Sequence, residues 1–136
     1  GEPLSPMGFS LSVHNTASGL HSIVQNDTAP STAIAAGADS LLAGLLEALG
    51  RLAERPEALV LLVYGDDRLP DVYGEFDGAR LMPHALALLL GTGATHRLCA
   101  GLPAGADRER QSLHLLRALA LGGACPIGDW RWEAAA

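Results

Sequence analysis

Leu41, Leu42, Leu45, Leu46, Leu49 and Leu52 recur at the spacing of one helical face. That pattern predicts a helix from about 39 to 54, with Asp39 or Ser40 placed to cap its first turn and Pro56 to stop it. Val13, Ala17, Leu20 and Val24 also share a helical face, which predicts a helix over 13–25 that ends at Asn26-Asp27. Residues 1–8 read as a proline-containing lead, and Pro30 opens a short strand at about 31–36. The run from Ala58 to Tyr64 is continuously apolar, the pattern of a strand buried on both faces. Strand, long helix and buried strand in that order predict a β-α-β crossover, hence parallel pairing and a right-handed connection. Residues 84–91 and 96–101 read as two further strands, and the short link from Gly91 to Thr95 suits an antiparallel hairpin. A second amphipathic helix is expected over 107–120, capped by Asp107 and ended by Gly122-Gly123. The tail from Asp129 to Glu133 alternates as an edge strand would. No internal repeat is visible. The expected fold class is α/β: a mixed sheet with one crossover and packed helices, in a single domain over 1–136.

The join between the first expected strand and the leucine-rich helix is where chemistry would sit. A side chain there faces the positive end of the helix macrodipole. A cysteine in that place would have its pKa lowered and act as a thiolate nucleophile. The residue present is Ala38. Ser40, two residues on, is explained by capping, and no base for a serine nucleophile is specified by the sequence.

Three short motifs surround this turn: Ser12-Val-His-Asn15, Ala36-Gly-Ala-Asp-Ser40 and Leu45-Leu-Glu-Ala-Leu49. With the segment from Ala29 to Ala35, they resemble the amino-terminal half of β-ketoacyl synthases of the thiolase superfamily, most closely a chain-length-factor-like subgroup. The resemblance covers residues 4–65 well and thins afterwards, and it places the synthases' cysteine position on Ala38. It implies a thiolase-like half-domain lacking its first strand and helix region. It also implies a protein without condensing activity that pairs with an active ketosynthase in fatty-acid or polyketide-type assembly, polyene-like chains included. An acyl carrier protein is the second implied partner, no cofactor is implied, and a homodimer stays open. Carried over by position, Ser31 to Ala36 would lie near the partner, while Gly37, Asp39 and Ser40 would line a vestigial pocket with Ala38. His14 and Asn15 belong to the subgroup's signature, as pocket or interface residues. Their alternative is local: Asn15 or Ser12 capping a helix with His14 satisfied nearby. Two rivals to the partner reading are an acyltransferase or decarboxylase using a non-cysteine site, and a purely structural module.

Composition narrows the field. Apolar residues make up 49% of the 136, aromatic ones only 4%, so the core must be built from Leu, Ala and Val. A net charge of −6 without a basic cluster excludes a nucleic-acid footprint. Cys99 and Cys125 stand apart without metal spacing and read as small buried hydrophobes. Asp66, Asp67, Asp71, Glu75 and Asp77 miss the calcium-loop pattern, and the stretch from Gly91 to His96 lacks the third glycine of a dinucleotide fingerprint. Neither a signal peptide nor a bilayer-length apolar run is present, which makes a cytoplasmic location the expectation.

Overall fold

The leucine face becomes α3 (Ser40–Glu54), in which Leu41, Leu45, Ala48 and Leu52 are buried. The computed structural model describes residues 5–68, 70–76, 82–93, 95–100 and 110–135. Along the chain come α1 (Pro6–Ser10), α2 (Thr16–Gln25), α3, β1 (Val60–Asp66), β2 (His84–Leu90), β3 (His96–Ala100), α4 (Gln111–Leu121), β4 (Cys125–Ile127) and β5 (Trp130–Ala134). The backbone divides into two compact units, Gly1–Gly37 and Ala38–Ala136.

In the first unit the helix expected over 13–25 forms as α2 but starts at Thr16, leaving Val13 outside it. Ser5 caps α1 by accepting from the Gly8 amide at 3.2 Å, in a stretch expected to be a plain lead. Asn26, in the left-handed region, closes α2 as its position suggested, with the Asp27 amide donating to the Ser22 carbonyl at 2.9 Å. The expected strand at 31–36 does not form: the segment joins no ladder. Ala33, Ala35 and Ala36 offer little apolar area to offset the cost of ordering an extended segment.

The second unit carries two sheets. β1 pairs antiparallel with β2, from Val60↔Leu90 to Asp66↔His84. β5 lies between β3 and β4, antiparallel to both. Every ladder among the described residues is therefore antiparallel, and the β-α-β crossover is corrected accordingly. The hairpin expected between β2 and β3 is also absent, because each strand pairs elsewhere. The tail strand is central rather than an edge. Trp132 explains why: on alternate positions of β5 it points inward and is buried, opposite Leu98 on one side and Cys125 on the other. β1 alternates between half-buried and exposed positions instead of being covered on both faces, with Leu61 and Val63 outward and Leu62 inward. Asp107, expected to cap α4, and Asp77 of the acidic loop lie outside the described residues.

The core gathers where α3, α4 and both sheets meet, around Leu41, Leu45, Leu86, Leu115, Ile127 and Trp132. Cys125 belongs to it, and burial pushes its thiol from 9.0 up to about 11. The unfolded thiol therefore loses its proton near pH 9 while the folded one keeps it to about pH 11. Across that window the unfolded state binds fewer protons, so stability is full below it and falls as pH rises, by roughly 2–3 kcal/mol from this group. Urea midpoints compared at about pH 8 and about pH 11 should drop more for the native sequence than for Cys125→Ala. An equal drop in both would show that this thiol contributes nothing to the alkaline limb.

Candidate functional site

Three stretches of chain meet at the start of α3. A single 3-10 turn spans Gly37–Asp39, with Gly37 at φ +57°, and leads directly into Ser40, the first residue of α3. Asp39 occupies the N-cap position but makes no side-chain cap hydrogen bond. Its Oδ1 instead accepts from Gln111 Nε2 at 3.3 Å, and the same amide donates to the Ala38 carbonyl at 3.1 Å. Gln111 opens α4. The third segment is the Gly128-Asp129 turn between β4 and β5: an added Cβ on Gly128 would lie 2.7 Å from Leu42 and 3.6 Å from Asp39 Oδ1. Two helix starts and one hairpin turn thus fix the backbone around Ala38, whose own side chain is exposed.

Next to Gln111 a polar strut joins α4 to the first sheet. His84 Nε2 and Ser112 Oγ lie 2.6 Å apart, and His84 Nδ1 is 2.8 Å from the Met82 carbonyl. A carbonyl only accepts, so in the neutral ring Nδ1 carries the proton and Nε2 accepts from the serine hydroxyl. Tyr64 joins from β1, donating to Asp66 Oδ2 at 3.4 Å, with its ring 6.0 Å from that of His84. Burial raises the Tyr64 phenol above its ordinary value and the Asp66 charge adds to this, while the Ser112 hydroxyl pulls the other way. A serine beside an oriented imidazole has the layout of a nucleophile and its base. Ser112 is only 2% exposed, however, so the group is closed to substrate and serves as a link between α4, β1 and β2. A separation of 28 residues between His84 and Ser112 leaves no local signal of this pair in the sequence.

In the first unit, His14 and Asn15 are exposed. Asn15 sits at the N-cap of α2 without a side-chain cap bond, though its carbonyl accepts from the Gly19 amide at 3.0 Å. The Ser12 hydroxyl turns back to the Phe9 carbonyl at 2.7 Å. Neither side chain caps α2. Ser31 and Ala36 are exposed and lie on the segment before the turn, which joins no strand ladder. An open cleft of about 360 Å³ occurs elsewhere, lined by His114, Arg117, Ala118, Leu121, Cys125 and Pro126 among others, and by none of residues 37–40. Among the described residues no cluster of three His, Cys, Asp or Glu side chains could hold a metal ion, and no helix is long and apolar enough to cross a membrane.

The family model for the β-ketoacyl synthase N-terminal domain matches residues 1–121. The chain belongs to that family. Among solved structures, it is similar to a chain in the complex of the ketosynthase ApeO with its chain length factor ApeC from Xenorhabdus doucetiae. The identity is 30% and the TM-score 0.80, with 97% of this chain and 58% of that chain covered. The chain thus spans little more than half the length of that ketosynthase-fold chain. No match was found among curated proteins. Membership gives a thiolase-like α/β fold and a ketosynthase-like subunit. Within this β-ketoacyl synthase-like domain, the turn before α3 carries alanine at position 38.

Proposed function

We propose that this chain is a non-condensing, chain-length-factor-like ketosynthase subunit. It pairs with an active ketosynthase in a cytoplasmic fatty-acid or polyketide-type assembly system, polyene-type chains included, and meets an acyl carrier protein there. One observation carries the reading: the turn and helix start are flanked by α4 through Gln111 and by the Gly128 hairpin turn, yet position 38 bears a methyl group that can neither attack an acyl group nor carry one. In this reading Ala38 is the vestigial nucleophile position. Gly37, Asp39 and Ser40 form the frame around it, while His14, Asn15, Ser31 and Ala36 belong to the partner-facing part.

The first unit supports a partner on independent physical grounds. Met7, Phe9, Leu20, Ile23, Val24 and Ile34 are all exposed, and α2 has no buried residue. A ten-residue helix without a buried residue is marginal in water by itself, so its apolar side chains call for a covering surface. The neighbouring solved structure, a ketosynthase bound to its chain length factor, agrees with that demand. Behind the turn, Leu41, Leu45 and Leu115 fill the interior. A filled core at this place is what the rival reading, a purely structural module, expects, and the pairing experiment separates the two.

Native mass spectrometry tests the reading, first on the chain alone and then mixed with the ketosynthase encoded nearest its gene. A 1:1 heterodimer is the expected result. A monomer or homodimer that ignores the ketosynthase would refute the pairing.

A further inference from the structure

Gln111 is 2% exposed, and the Oε1 of its amide is buried with no hydrogen-bond partner among the described residues. Burying an amide and satisfying only half of it is costly; a Leu or Met of similar size would fill the same space without that penalty. The half that is satisfied reaches across 73 residues of sequence to one place, the Ala38 carbonyl and, beside it, the Asp39 carboxylate. Both partners are pure acceptors, so the amide orientation is fixed with Nε2 toward the turn. Holding the Ala38 carbonyl sets the peptide plane between 38 and 39, and with it the direction of the side chain at 38. Taking Oδ1 of Asp39 draws that carboxylate toward α4, and the N-cap residue makes no cap bond.

We propose that Gln111 is a positioning residue of the vestigial nucleophile turn: its buried amide ties Ala38 and Asp39 to the start of α4, presenting position 38 at the positive end of α3. This rests on the reading of Ala38 as the former nucleophile position. Without the amide, the Asp39 carboxylate is released to cap α3, where its charge competes with any anion formed at 38.

A thiol introduced by Ala38→Cys in the full chain reports on this presentation. Its rate of alkylation by iodoacetamide is measured against pH and assigned by peptide mass mapping, which separates it from Cys99 and Cys125. With Gln111 in place, the introduced thiol should react with a midpoint below that of a free cysteine. Gln111→Met should slow the reaction at neutral pH roughly tenfold and move the midpoint up by about one pH unit. Adding Asp39→Asn to the Gln111→Met variant should recover most of that loss. Gln111→Asn, too short to reach, and Gln111→Glu, which sets a second carboxylate against Asp39, should act like Met and serve if the Met variant does not fold. A low midpoint unchanged by all three substitutions, even with a lowered melting temperature, would overturn the role of Gln111 and leave the Ala38 reading intact. An ordinary midpoint with Gln111 present would remove the Ala38 reading and the proposal together, whatever the heterodimer experiment returns.

Discussion

Replacing Leu115 with Ala is expected to lower the unfolding free energy by about 2–5 kcal/mol, a large part of the 5–15 kcal/mol typical of a whole domain. Leu115 is 0% exposed on the inner face of α4. Its cluster draws Leu41 and Leu45 from α3, Leu86 from β2, and Ile127 and Trp132 from the second sheet. Removing the isobutyl group forfeits its transfer energy and leaves a hole whose walls belong to two helices and two sheets. Walls tied to separate elements collapse poorly, which places the cost toward the upper end of the range. Urea unfolding followed by far-UV circular dichroism measures it. Leu119→Ala, one helical turn on and 37% exposed, should cost less than about 1 kcal/mol. Equal losses at the two positions would mean that α4 is not the bridge between the sheets.

Local pattern carried the elements well and their partners poorly. The leucine period and the proline at 56 placed α3 within a residue or so, and the apolar runs placed β1, β2 and β3. Pairing was a different matter. β2 and β3 are joined by a short link yet belong to separate sheets, and the ladder from β3 reaches β5 more than thirty residues away. Periodicity says which face a side chain takes and is silent on which strand lies beside it. The run at 31–36 misled because alanine suits a tight strand and a segment outside any ladder equally. At the site, Ala38 gained meaning from resemblance to a family, since alanine has no chemistry to notice. Gln111, Ser112 and His84 were missed because their partners are 28 to 73 residues distant. One signal was there to be used: Gly128-Asp129 between the apolar residues Ile127 and Trp130 is a two-residue hairpin turn, and it identifies β4 and its pairing with β5.

That turn also supplies the other large expected effect. Gly128 is buried at φ +57°, and an added Cβ would stand 2.7 Å from Leu42 Cδ2. Gly128→Val therefore meets two separate penalties. A β-branched residue in the left-handed region costs about 1–2 kcal/mol, and forcing Leu42 aside adds about 1–3 kcal/mol. The combined loss of about 2–5 kcal/mol should appear as a lower urea midpoint. Gly128→Asn separates the terms, because asparagine tolerates the backbone angle but still carries the offending Cβ. Leu42→Ala in the Gly128→Ala background separates them from the other side by opening the space. If relieving Leu42 recovers none of the loss, the turn is held by backbone conformation alone and does not press on α3. If it recovers a kcal/mol or more, the hairpin is packed against the first turn of α3 beside Asp39. In that case the tail of the chain, through β4 and β5, helps to hold the frame around Ala38 just as α4 does through Gln111.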